Sequence, residues 1–321
     1  MNEATAPRIA TIGVHILDTH GAPVEYLPDG QNSLRIDQIR ITPAGTAGGT
    51  AVDLSILGAS VSTFGAVGSD EAGTFLRTLL QSRGVDTGGL ITLAGAQTSS
   101  SILLIRPNGD RPALHVSGVN ALVVWDDLTM PDFSDIAAVH MGGLDALASL
   151  DQDEALRIME QARAAGTVIS MDFQSGGPWL RSGLLGLLPG VDIFMPNIEQ
   201  ATALVGPGTP EQIAARLLAA GPRAVAVTLG EEGAIYMDAD QTLHHPAFDV
   251  DVVDTTGCGD GFCATFLLAT IKGMRPDDAL RLASAGAGLV AAGLGSDGHL
   301  RSWDDLVEFA EQTPVVKATA P

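Results

Sequence analysis

Asp254-Thr255-Thr256-Gly257-Cys258-Gly259-Asp260-Gly261-Phe262 sets a two-glycine turn and an aspartate directly ahead of an apolar run. Phe262, Cys263, Phe266, Leu267 and Ile271 recur at helical spacing and Gly273 closes the run, which predicts a helix over 259–272. A helix start carries unpaired N–H groups and a partial positive charge, and Gly257 and Gly259 let another group approach the backbone closely. The turn is therefore a candidate anion site. Asp260 falls in the first turn, where the helix dipole favours its ionised form and where it could take a proton from a hydroxyl held against the same anion. The plainer alternative is a glycine-rich loop whose aspartate only complements the dipole. A dinucleotide fingerprint fits less well, because the third glycine of G-x-G-x-x-G would fall on Phe262.

Working outward, strand-like and helix-like stretches alternate, the pattern of a parallel sheet covered by helices. Strands are expected at 8–14, 61–64, 137–140, 168–172, 193–195 and 224–228. Helices are expected at 50–57, 71–82, 151–165, 210–219, 259–272, 277–292 and 303–311. The fold class is thus α/β, a three-layer α/β/α sandwich with a mainly parallel central sheet. Two stretches break this rhythm, about 24–42 and 97–118, where apolar and polar residues alternate as in Leu34-Arg35-Ile36-Asp37-Gln38-Ile39-Arg40-Ile41. The second contains the turn Pro107-Asn108-Gly109-Asp110. Such strands suit a small antiparallel β lid over the carboxyl ends of the main strands.

The chain has 321 residues, 45% of them hydrophobic, enough for a full core. Its formal charge of −21, with no basic run, argues against nucleic-acid or anionic-membrane partners. Cys258 and Cys263, the two cysteines, give neither a disulfide framework nor a metal cluster. The N-terminus has no basic and apolar leader pattern, and no apolar run is long enough to span a membrane. A cytoplasmic protein is expected.

DTTGCGDGF resembles the C-terminal signature of the ribokinase-like (PfkB) family of carbohydrate and nucleoside kinases, usually DTxGAGDxF. The resemblance implies that Asp260 is the catalytic base and that the backbone of Gly257, Cys258 and Gly259 forms an anion hole for the transferred phosphoryl group. It implies ATP and Mg²⁺, with a monovalent cation such as K⁺ held near Asp254 and Thr256. Thr228-Leu229-Gly230-Glu231-Glu232-Gly233 by itself reads as a glycine turn between strands. It is similar to the family's TLGxxG nucleotide motif, which makes Thr228, Gly230 and Gly233 candidates. The small-residue stretch 284–298, beginning at Ser284, matches the region that packs around adenine.

Asp18 lies just beyond the first strand and corresponds to the aspartate that grips substrate hydroxyls, whereas His15 reads as structural. The run Ala44-Gly45-Thr46-Ala47-Gly48-Gly49-Thr50-Ala51 resembles the N-terminal sugar-pocket signature, with Gly45, Gly48 and Gly49 as candidates. Gly49 stands where the family has asparagine. Pro196-Asn197-Ile198-Glu199-Gln200 is similar to the NxxE metal motif, with Gln200 at the glutamate position and Glu199 one residue earlier. Asp172, at a strand end and followed by Gln174, and the lid residues Ser99, Ser101 and Asn120 complete the substrate candidates.

The expected activity is ATP-dependent phosphorylation of a hydroxymethyl group on a small sugar. A nucleoside kinase and a catalytically weak, kinase-like binding protein are the alternatives. The kinase domain is expected over 8–313, with lid segments at 15–43 and 97–120 and with disordered or flexible ends at 1–7 and 314–321. If the lid exposes an apolar face, through Ile102, Leu104 and Leu114, two copies could pair as a homodimer.

Overall fold

Alternate residues of β1 (Arg8–Gly13) face two different cores, Ile9 packing into one apolar layer and Ala10 and Ile12 into the other. A strand apolar on both faces belongs in the middle of a sheet covered on both sides. A computed structural model of the chain describes residues 6–124, 128–148, 152–174 and 180–317. After β1 come β2 (Ile16–Ala22), β3 (Gln38–Ala44), α1 (Thr46–Ile56), β4 (Ser60–Gly68), α2 (Glu71–Ser82) and β5 (Asp86–Leu93). Then follow β6 (Ser100–Leu104), β7 (Ala113–Val116), β8 (Ala138–Gly142), α3 (Gln152–Ala164), β9 (Val168–Asp172), α4 (Leu180–Leu187) and β10 (Ile193–Phe194). The chain continues through α5 (Ile198–Val205), α6 (Pro210–Ala219), β11 (Ala224–Thr228), β12 (Ala234–Asp238), β13 (Thr242–His245), α7 (Cys258–Ile271), α8 (Pro276–Ala291) and α9 (Trp303–Gln312).

The main sheet runs β13-β12-β11-β10-β9-β8-β1-β4-β5 among the described residues. From β11 to β5 every pairing is parallel, and β12 and β13 add an antiparallel edge. Residues of α1, α2, α7, α8 and α9 share one core and residues of α3 to α6 the other, so the three expected layers are present. The chain leaves β1 toward β4 on one side and reaches β8 on the other. That reversal opens a crevice beyond the carboxyl ends of β1 and β8, where ligands of such sheets bind. Buried residues run all round α7, which lies between the sheet, α1 and α8. Its N-terminus is therefore rigidly held beside the crevice.

A second sheet, β3-β2-β6-β7, is the lid. Its two antiparallel pairs, β2 with β3 and β6 with β7, join through a parallel β2–β6 contact. The strands lie elsewhere than the alternation in 24–42 suggested: residues 23–37 form no strand, and β2 begins at Ile16, so Asp18 sits within the lid and not in a loop. The register sends Asp18, His20, Arg40, Thr42, Ser101 and His115 to one face and Thr19, Ile39, Ile41, Ile102 and Leu114 to the other. The second face is open, with Ile39 69%, Ile102 50% and Leu114 62% exposed.

Helices α2 and α6 and strands β9 and β11 fall where the sequence puts them. Helix α1 starts earlier than expected, at Thr46, and α5 was read as a metal motif. Part of the expected flexible segment 314–321 is held in the fold: Asp249 N–H donates to the Pro314 carbonyl and Val316 N–H to that of Ala247. Residues 1–5 and 318–321 lie outside the described residues. No helix among the described residues is long and apolar enough to cross a membrane.

Candidate active site

Gly257 caps α7 in the left-handed region, at φ 80°, and a Cβ there would run into the Ser296 carbonyl. Only glycine lets this turn lie against the 293–298 loop. At Gly259, by contrast, a Cβ would meet nothing within 4 Å, so this side of the turn is open to a ligand. The N–H groups of Gly259 and Asp260, in the first turn, have no carbonyl four residues back within the helix. Burial pushes the Cys258 thiol up to about 12, so this residue contributes backbone and not a thiolate.

The Asp260 carboxyl group leans over α1, and a Cβ at Gly49 would overlap it. This is the physical sense of glycine at 49: it leaves the base room that an asparagine side chain would fill. The carboxyl group is enclosed, although the residue as a whole keeps some exposure. Burial, then the carboxylates of Asp172 and Asp18, raise its proton affinity well above the ordinary carboxylate range, against Arg111 and the nearby Thr50 hydroxyl. The dipole-favoured ionised form expected from sequence is thus corrected. Neighbouring negative charge and desolvation outweigh the helix dipole.

Three carboxyl groups converge here. Asp18 is 6% exposed, its Oδ1 has no hydrogen-bond partner, and burial raises its proton affinity despite the Ser101 hydroxyl. Asp172, at the end of β9, is likewise raised by burial, with His140 Nε2 3.4 Å away. Among the lid residues, Ser101 Oγ lies 3.0 Å from His115 Nδ1, and Arg111 Nε donates to Thr255 Oγ1 at 3.1 Å, bringing a guanidinium to the edge of the turn.

Other candidates have contacts that account for them within the fold. Gly45, at φ 82°, would place a Cβ 2.7 Å from the Val14 carbonyl, and Gly48 one 3.2 Å from the His15 ring. Both are explained by the close approach of the start of α1 to residues 14–16, which follow β1. His15 is fully buried and held near pKa 4 by that burial. Its Nδ1 bonds the Gly13 carbonyl and its Nε2 the Thr63 hydroxyl, as a structural histidine should. Asn120 Nδ2 donates to the His15 carbonyl at 3.2 Å, and Ser99 Oγ to that of Val116.

Among the nucleotide candidates, Asn197 and Thr228 pair in an isolated bridge. Gly230 faces open space, while Gly233, at φ 98°, is required by the close His245 carbonyl. Ser284, on α8, is buried with an unpartnered Oγ. Asn197 caps α5 in a capping box: its Oδ1 accepts from Gln200 N–H, and Gln200 Oε1 accepts from Asn197 N–H. Gln200 Nε2 then donates to the Phe173 carbonyl at 2.6 Å. A glutamate would set an acceptor against that carbonyl, which accounts for glutamine at 200. Glu199 is exposed beside them in the first turn of α5.

The Asp254 carboxylate has its own partners. Oδ1 accepts from Thr256 N–H at 2.9 Å and Thr256 Oγ1 at 2.6 Å, and Oδ2 from His20 Nδ1 and Gly295 N–H, both at 3.0 Å. Burial alone would raise this carboxyl, but the four donors hold it at about 2, ionised and fully bonded. The roles of His20, Arg40, Arg111 and Asp297 were not read from sequence. The period-2 spacing of His20 from Asp18 was the available signal.

A model of the pfkB family carbohydrate kinase matches residues 7–301. An ATP-dependent ribose-1-phosphate kinase of Halopiger xanaduensis is 30% identical, over 84% of this chain and 86% of that protein. Fructokinase-1 of Zea mays is 29% identical, over 72% of this chain and 74% of that protein. The structure of Arabidopsis thaliana ribokinase complexed with ribose and ATP shares the fold at a TM-score of 0.77, 20% identity and 95% and 99% coverage of the two chains.

Proposed function

Since the chain belongs to the pfkB family of carbohydrate kinases, we propose that it transfers the γ-phosphoryl group of ATP to the hydroxymethyl group of a neutral sugar. The observation that carries this reading is the meeting in one cleft of the Asp260 carboxyl, the open turn at Gly259, and the carboxyls of Asp18 and Asp172. The kinase unit is 8–313, with the lid drawn from 15–43 and 97–120.

Asp260 takes the proton of the attacking hydroxyl, and its raised proton affinity suits that task better than an ordinary aspartate's. The N–H groups of Gly259 and Asp260 bind the oxygens of the transferred group, and Arg111 adds positive charge at the lid's edge. The bond from sugar oxygen to γ-phosphorus forms as the bond to the ADP oxygen breaks. A loose transition state asks mainly for positioning, which the buried α7 supplies. Thr228, Gly230 and Ser284 form the nucleotide side. Mg²⁺, held chiefly by the nucleotide phosphates with Glu199 toward its water shell, would neutralise charge on the β- and γ-oxygens.

Asp18, Asp172 and Asp260 offer acceptors in excess, so the complementary ligand brings hydroxyl donors and no negative charge near them. A free sugar fits that rule better than a sugar phosphate, and Gly49 leaves its hydroxyl recognition to Asp18 and Asp172. In a melting-temperature screen with a nonhydrolysable ATP analogue, a neutral sugar at roughly 100 times its Kd should add about 2.7 kcal/mol of stability. Stabilisation by ribose 1-phosphate or a nucleoside alone would overturn the neutral-sugar reading.

The apolar outer face of the lid, with Ile39, Ile41, Ile102 and Leu114, is a pairing surface for a second copy. Light scattering should give twice the chain mass, and Ile102→Asp should give a monomer; a monomeric wild type would refute the pairing. The free thiols of Cys258 and Cys263 support a reducing, cytoplasmic setting.

A further inference from the structure

The resemblance places a monovalent cation near Asp254 and Thr256, and in this chain the lid already engages Asp254 and the 293–298 loop beside it. His20 on β2 and Arg40 on β3 are direct cross-strand partners on the inward face of the lid. His20 is fully buried, and its Nδ1–H is donated to Asp254 Oδ2 at 3.0 Å. The Arg40 guanidinium donates to the Leu294 carbonyl, to the Gly298 carbonyl at 3.4 Å and to Asp297 Oδ1. Arg83 binds the other Asp297 oxygen at 2.7 Å.

The surroundings are fitted to this arrangement. Thr42 Oγ1 lies 2.9 Å from His20 Nε2 and 3.0 Å from Ser296 Oγ. Gly295, at φ 88°, would place a Cβ 3.0 Å from both Arg40 Cδ and Thr42 Cγ2, so the loop meets the lid side chains closely. Leu103 and Ile105 of the lid segment pack on Leu294. A guanidinium, always charged and rich in donors, can satisfy carbonyls and a carboxylate together.

We infer that His20 and Arg40 take the place of a monovalent cation, fastening the lid to the loop behind the anion-hole turn, so that the enzyme works without K⁺. The inference rests on the kinase reading, but one arm of its test does not. Phosphoryl transfer is measured in KCl, NaCl and tetramethylammonium chloride at equal ionic strength, and melting temperature in the same salts. Wild-type kcat/KM should differ by less than about fivefold among them, the lower range of effector coupling, and melting should show no saturable rise specific to K⁺. A K⁺ activation of about fivefold or more, or a saturable K⁺-specific melting shift, overturns the inference.

The double variant His20→Val, Arg40→Met should gain a saturable K⁺-specific rise in melting temperature and recover activity in K⁺. A folded double variant indifferent to K⁺ also overturns the inference. If that variant does not fold, the wild-type arms decide. Absence of transfer in every salt refutes the kinase reading instead, and the melting arm then tests the inference alone.

Discussion

Asp260→Asn will fold and bind its ligands yet phosphorylate sugar roughly 10²–10⁴ times more slowly, the usual share of a positioned general base. Asparagine keeps the size of the side chain, so the space over Gly49 stays filled. Neutralising a carboxyl that burial, Asp172 and Asp18 already disfavour as an ion leaves the melting temperature unchanged or higher. The loss belongs to kcat, because a proton acceptor acts in the transition state and not in binding. A pH profile gives the same residue a second signature. The active form is the carboxylate, and its proton affinity is raised, so kcat/KM should fall on the acid side at a pH above the ordinary carboxylate range. Asp172→Asn removes one of the charges that raise it and should move that limb to lower pH. An Asp260→Asn enzyme with near-wild-type turnover would remove the base from the account.

Gly257→Ala should lose roughly 10²–10³ in kcat, the cost of a displaced oxyanion donor. A Cβ at 257 runs into the Ser296 carbonyl, and alanine resists φ 80° by about 1–2 kcal/mol, so both the turn and its fit to the 293–298 loop must shift. Stability falls as well. Gly259→Ala provides the contrast. No atom lies within 4 Å of the added methyl, so the protein stays as stable as wild type apart from the usual change of glycine for alanine in a helix. That methyl occupies the space assigned to the phosphoryl group, and activity should fall as far as in Gly257→Ala. Full activity in Gly259→Ala would show that the phosphoryl group binds elsewhere.

The parts of the site written in consecutive residues were legible in the sequence. The 254–262 stretch showed the helix start, the glycine turn and the first-turn aspartate, because each depends on neighbours in the chain. Regular elements with clear punctuation, such as α6 between Thr209 and Ala220, were equally readable. What escaped depends on residues far apart. The raised proton affinity of Asp260 arises from Asp18 and Asp172, which share no sequence window with it. Asn197 and Gln200 look like half of a metal motif, and only the Phe173 carbonyl explains the glutamine. The His20–Asp254 bond joins residues 234 positions apart. The alternation in 24–42 is real, but residues 23–37 find no neighbouring strand, so pairing and not pattern sets where β3 begins.

The central claim is phosphoryl transfer to a sugar hydroxyl, and ³¹P NMR of the wild-type protein with ATP, Mg²⁺ and a panel of free sugars tests it most directly. The account predicts, for at least one neutral sugar, a new phosphomonoester resonance that grows in step with ADP while inorganic phosphate stays low. ATP left intact with every sugar, or cleaved to ADP and inorganic phosphate at a rate the sugars do not change, would contradict it.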